Sequence, residues 1–183
     1  MPRLFVAIDL PDPVRESLAN LSHGVERARW VDMAQLHLTL QFIGEVDSGT
    51  ANDVEDALTM VVAPAFEMCL KGVGHFPPRK NARVLWVGVE AGPELLTLQR
   101  RIADALAEAG VEEEKRRFHP HVTIARFREP APHFVTGPFL AAHNLYRSDP
   151  FTVEEFHLYS SVLARSGAVH HREATYELKE IAD

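Results

Sequence analysis

The sequence predicts an α+β, bilobal fold: two pseudo-symmetric lobes of mainly antiparallel sheet, with outer helices and a central cleft. Three observations lead there. The tetrapeptide His37-Leu38-Thr39-Leu40 returns as His121-Val122-Thr123-Ile124. Each half of the chain runs strand, helix, His-x-Thr strand, helix, strand, and a repeated plan of this kind predicts two similar units. No long Gly/Ser linker separates the halves, so residues 1–183 read as a single domain of two closely packed lobes, each roughly one half of the chain.

The elements follow in order. Arg3 to Asp9 is a β-rich run, closed by Leu10-Pro11-Asp12-Pro13. Asp12 suits an N-cap and Pro13 a first helical position. Val14, Leu18, Leu21 and Val25 then recur at helical spacing, which predicts a helix ending between Gly24 and Arg29. His37 to Ile43 is the next strand, closed by Gly44. Thr50 with Asp53 suits a capped second helix with Val54, Ala57, Leu58, Val61 and Val62 on one face and Pro64 beyond. Phe66 to Phe76 reads as a strand, and Pro77-Pro78 forces an extended or turning segment.

In the second half, Arg83 to Val89 is a strand. Gly92-Pro93 opens a helix with Leu95, Leu98, Ile102 and Leu106 on one face, ending near Gly110. Phe118 to Phe127 carries the second His-x-Thr copy. Thr136 to Tyr146 is a less marked helix. Phe151 to Val162 and His170 to Leu178 read as two final strands, with Ser166-Gly167 turning between them.

Composition sets the class. Apolar residues make up 46% and charged residues 25%, a usual globular balance. The one cysteine, Cys69, permits no intrachain disulfide and reads as a buried, inert thiol in a strand. No apolar run is long enough to span a membrane, and the N-terminus lacks the pattern of a signal peptide, so a cytoplasmic, soluble protein is the default expectation. A net charge of −7 argues against broad binding to long nucleic acid. Positive charge is nevertheless concentrated at Arg79, Lys80 and Arg83, at Lys115 to Arg117, and at Arg126 and Arg128, a pattern that suits a local anion-attracting patch.

The chemistry lies in the repeated tetrapeptide. Strand side chains alternate faces, so the His and Thr of each copy share one face and the two apolar residues share the other. Two imidazoles suit paired acid and base catalysis near neutral pH. Two hydroxyls add donors for phosphate oxygens. By strict alternation from His121, Arg126 points away from that face unless the strand bends. Trp30 and Trp86 read as packing residues. His119 and His121 form a His-x-His pair with no third ligand at an obvious spacing, so no metal site is expected. No P-loop, dinucleotide-binding loop or nucleophile elbow is present, and no cofactor is expected. His170 and His171 join no recognisable pattern.

The paired motifs resemble the 2H phosphoesterase superfamily, and more closely its RNA 2′,3′-cyclic phosphodiesterases, also called 2′-5′ RNA ligases. The resemblance runs through Arg3-Leu-Phe-Val-Ala-Ile-Asp-Leu-Pro, His37-Leu-Thr-Leu-Gln-Phe-Ile-Gly, Gly74-His-Phe-Pro, Arg83-Val-Leu-Trp-Val-Gly, Phe118-His-Pro-His-Val-Thr-Ile-Ala-Arg126 and Phe156-His-Leu-Tyr-Ser-Ser-Val-Leu. It departs near the end, where the family often has a tyrosine and this chain has His170 and His171. The resemblance implies metal-independent hydrolysis of a 2′,3′-cyclic phosphate at an RNA 3′ end to a 2′-phosphomonoester, with 2′-5′ ligation as a related phosphoryl transfer. The residues leave the two histidines interchangeable, because their motifs are nearly symmetric. The resemblance makes His37 the proton donor and His121 the acceptor, with Thr39, Thr123 and Arg126 on the phosphate. Phe76 is a candidate for stacking on a base. The implied partner is RNA with a cyclic-phosphate end, or a nucleotide, taken by a monomer. Two alternatives stay open: a phosphodiesterase of small cyclic nucleotides or ADP-ribose cyclic phosphate, and a non-catalytic RNA-end binding module.

Overall fold

A computed structural model describes Met1 and residues 3–179. Among the described residues, nine strands form one sheet: β1 (Arg3–Asp9), β2 (Arg29–Trp30), β3 (His37–Glu45), β4 (Phe66–Phe76), β5 (Ala82–Ala91), β6 (His121–Ala131), β7 (Phe151–Val153), β8 (Glu155–Ala164) and β9 (Gly167–Glu177). Four α-helices accompany it: α1 (Asp12–Leu21), α2 (Ser48–Leu58), α3 (Pro93–Glu108) and α4 (His133–His143). The strand order is β7-β4-β5-β6-β3-β1-β8-β9, with β2 also pairing β6, and every pairing is antiparallel.

This order makes the sheet curl. β7 and β8 stand six strand steps apart, about 29 Å if the sheet were flat. Only Glu154 separates them in sequence, and one residue spans at most about 3.6 Å. The sheet must therefore bend round until its β7 edge meets β8 beside β1. The single strand expected from Phe151 to Val162 is for the same reason two: Phe151–Val153 pairs with β4, and the chain then crosses at Glu154 to pair with β1. The strand group around His37 thus draws β1 and β3 from the start of the chain and β8 and β9 from its end.

Local signals account for most element ends. Gly92 is the N-cap of α3 and Pro93 its first residue, and Leu95, Leu98, Ile102 and Leu106 are all buried. Gly110 closes that helix at φ 86°, a conformation that suits glycine. Two caps differ from expectation. Pro11 takes the cap position of α1, which places Asp12 inside the first turn, and α1 ends at Leu21, so Val25 reaches the core from the following loop. Asp47 caps α2, its side chain accepting from the Thr50 backbone N–H, one turn earlier than the Thr50/Asp53 pair suggested. The short strand β2 and the 3-10 turn Met33–Gln35 are too short to carry a periodicity that marks them in the sequence.

Most of the buried apolar residues form one continuous core, which includes Leu38, Leu40, Val122 and Ile124 with the inner faces of α1, α2 and α3. Trp30 packs into it against Phe139, with ring centroids 5.7 Å apart. Cys69 is buried, as expected of an inert thiol, and burial raises its pKa.

Candidate active site

The two His-x-Thr strands are neighbours in the sheet. β3 and β6 meet antiparallel, with Leu38 opposite Val122. Both of these side chains are fully buried. The residues on either side of them, His37 and Thr39 on β3 and His121 and Thr123 on β6, therefore lie on the opposite face of the sheet, around one point. All four are partly buried.

Each motif also carries a β-bulge at its fourth residue. On β3 the pairs Ala7–Thr39 and Val6–Gln41 skip Leu40. On β6 the pairs Trp86–Thr123 and Leu85–Ala125 skip Ile124. An extra residue inverts the alternation beyond it. Burial shows the inversion: Leu40 and Gln41 are both buried, as are Ile124 and Ala125. The next residue in each strand, Phe42 and Arg126, returns to the histidine face and is exposed. Strict alternation had pointed Arg126 away from His121; the bulge brings it round. Its positive charge lowers the pKa of His37, His121 and His170 alike. Phe42, at the matching place on β3, is 63% exposed, and no local pattern in the sequence marks it.

Both imidazoles are held by the same local device. Nδ1 of His37 donates to the Gln35 carbonyl at 2.6 Å, and Nδ1 of His121 donates to the His119 carbonyl at 2.6 Å. With the Nδ1 proton committed to a carbonyl, Nε2 is the nitrogen free for chemistry in each ring. On His37, Nε2 lies 2.9 Å from the Thr39 hydroxyl, which donates to it when the ring is neutral.

The surroundings of the two rings differ. His37 stacks on Phe5, with centroids 5.0 Å apart at 28°, and meets His170 edge-on at 5.5 Å. Burial is the main cause that lowers its pKa to about 4; the Gln35 hydrogen bond opposes this, and His170 adds to it. His121 meets the edge of Phe76 at 5.0 Å and has Trp86 at 6.3 Å. Burial also lowers its pKa, with a further push from His119. His170, which joined no pattern in the sequence, thus belongs to the site. Only the β8–β9 register, where Ser161 pairs with His170, carries it there.

The aromatic wall beside His121 explains the Gly74-His-Phe-Pro segment. Gly74 pairs with Trp86 across β4 and β5, and a Cβ at Gly74 would come within 2.3 Å of the indole. The bare backbone lets Trp86 lie flat there and support Phe76, whose ring is 5.5 Å away. On the other side, the Asp9 carboxylate accepts from the Tyr159 hydroxyl at 2.5 Å and from Arg172. Asp9 also pairs with His37 in the β1–β3 register. Among the described residues, no group of three or more His, Cys, Asp or Glu side chains is arranged to hold a metal ion, and no helix is long and apolar enough to cross a membrane.

The model of the 2′-5′ RNA ligase superfamily matches residues 10–164, a span that contains both His-x-Thr strands. The chain belongs to this superfamily. Among its relatives in the superfamily, an RNA 2′,3′-cyclic phosphodiesterase of Archaeoglobus fulgidus is 32% identical over 172 residues, covering 92% of this chain and 96% of the relative. One from Escherichia coli is 34% identical over 171 residues, covering 89% of each. The solved structure of Escherichia coli LigT complexed with 3′-AMP is similar over 98% of this chain and 100% of that one, with a TM-score of 0.81 at 28% identity. The α+β architecture is thus shared with solved members of the superfamily.

Proposed function

We propose that this protein hydrolyses the 2′,3′-cyclic phosphate at an RNA 3′ end, leaving a 2′-phosphomonoester. The observation that carries the reading is the pair of imidazoles, each anchored through Nδ1 to a backbone carbonyl so that Nε2 is left for proton transfer, on one face about the Leu38–Val122 pair. Its relatives named RNA 2′,3′-cyclic phosphodiesterase support the substrate class.

In the proposed reaction a water is deprotonated by Nε2 of His121 and attacks phosphorus. The new P–O bond forms as the bond from phosphorus to the 3′ oxygen breaks. Nε2–H of His37 hands its proton to that oxygen. Thr39, Thr123 and Arg126 bind the non-bridging oxygens, where negative charge grows in the transition state. Base and acid must flank phosphorus for in-line displacement, and histidines on two strands that part after a single paired position suit that demand. Replacing the water by a 5′ hydroxyl turns the same displacement into 2′-5′ joining.

The free protein holds His37 near a pKa of 4, well below neutral. A bound phosphodiester brings an anion beside the ring and favours the imidazolium that an acid requires.

The test uses an oligoribonucleotide ending in 2′,3′-cyclic phosphate, with a chelator present. The expected product is the 2′-phosphate end, and no turnover, or a 3′-phosphate product, overturns the proposal. His37→Ala and His121→Ala are each expected to lower kcat by about 10² to 10⁴. A variant that retains full activity removes its histidine from the mechanism.

A further inference from the structure

The short strand β2 lies along β6 just beyond the point where β3 parts from it. Its two residues pair as Arg29–Arg126 and Trp30–Ala125, and the ladder continues as the Val31 backbone N–H donates to the Ile124 carbonyl at 2.9 Å. Residues paired across antiparallel strands point the same way. Trp30 points inward, against Phe139, beside the buried Ala125. Arg29, one residue earlier, therefore points with Arg126 to the histidine face, and both are exposed.

Two like charges directly opposite each other weaken a sheet. Neither arginine forms an ion pair with a carboxylate among the described residues. No ion pair among the described residues offsets this repulsion, whereas an anionic ligand would. Guanidinium groups are suited to phosphate oxygens, which they bind through two parallel hydrogen bonds. Arg126 reaches His37 and His121 electrostatically and belongs with the reacting phosphate. Arg29 lies one strand further out on the same face.

We infer that Arg29 forms a second phosphate subsite, which takes the phosphodiester adjoining the terminal nucleotide and so favours an RNA chain end over a mononucleotide. This rests on the proposed function for the reacting phosphate and adds a residue and a ligand group to it. A nucleoside 2′,3′-cyclic phosphate has one phosphate and leaves Arg29 unused; a chain end of two or more nucleotides engages it.

The experiment compares kcat/KM for a nucleoside 2′,3′-cyclic phosphate with that for a dinucleotide ending in the same group, in the intact protein and in Arg29→Gln. The ratio of dinucleotide to mononucleotide rate is expected to fall about tenfold in the variant, as the loss of one charge-assisted hydrogen bond predicts. Arg29→Lys is expected to restore part of it. The salt dependence of dinucleotide binding is expected to flatten by about 0.7 in log–log slope for one lost phosphate contact. An unchanged ratio overturns the inference, whether both rates fall together or neither moves. If the intact protein turns over neither substrate, the proposed function fails. The subsite is then read from calorimetric binding of a 2′-phosphate-ended dinucleotide and of a nucleoside 2′-phosphate: Arg29→Gln must weaken the first more than the second, and equal weakening, or none, rejects it.

Discussion

Leu38 and Val122 face each other across β3 and β6, and theirs is the register pair that joins the two strands. A local two-fold axis runs through this pair. It relates His37 to His121, Thr39 to Thr123, the bulge at Leu40 to the bulge at Ile124, and Phe42 to Arg126. At the sixth position one strand presents an aromatic ring and the other a cation.

Leu38→Ala is expected to cost about 2–5 kcal/mol of stability, because the fully buried leucine leaves a cavity at this joint. Its effect on turnover should exceed that of an equally destabilising change in α3, such as Leu98→Ala. Chemical denaturation with steady-state kinetics at a temperature where both variants are folded checks this. Equal turnover in the two variants would show that the joint does not set the spacing of the histidines.

The pH profile follows from the proposed mechanism and the direction of two shifts. Both histidines lie below the ordinary histidine value in the free protein, His37 at about 4. The profile of kcat/KM reports the free enzyme, so its maximum is expected below pH 6.5, with a decline as pH rises through neutrality. Arg126→Gln removes a charge that lowers both values, so the basic limb should move to higher pH while the rate falls. A profile that keeps its position in this variant argues against Arg126 acting on the pair.

Stability should fall in acid. Burial lowers the pKa of His37, His121, His157 and His170. The unfolded chain binds protons at these sites at a higher pH than the folded one does, so stability rises with pH across that interval. The contribution is fully present above about pH 6.5 and is lost as pH falls toward the lowered values. His37→Asn should reduce the loss between pH 6.5 and 4.5 by on the order of 2 kcal/mol. Urea melts at several pH values measure it, and an unaltered pH dependence would mean that His37 is not held neutral by the fold.

Gly74→Ala is expected to lower both stability and turnover. The new methyl collides with the Trp86 indole, and forced overpacking costs typically 1–3 kcal/mol. A displaced indole also unseats Phe76 beside His121. Near-ultraviolet circular dichroism and thermal melts report the displacement, and a variant with unchanged spectrum, melting and rate would show that the wall has room to spare.

Much of this was legible in the chain. Period-2 and period-3.6 patterns mark most strands and helices because each element buries one face, and Gly92-Pro93 and Gly110 delimit α3 through backbone preferences that need no partner. The repeated His-x-Thr word shows which residues share a face, since alternation is local. What lay outside the sequence was non-local. The bulges at Leu40 and Ile124 depend on how β1 and β5 register against these strands, and they turn Phe42 and Arg126 toward the histidines. The crossing at Glu154 depends on the curl of the whole sheet, which splits one apolar run between two edges. His170 reaches His37, and Arg29 reaches Arg126, through strand pairings between distant parts of the chain. Which face a residue shares with its near neighbours follows from backbone geometry; which residues stand opposite it follows from burial and hydrogen bonding summed over the whole sheet.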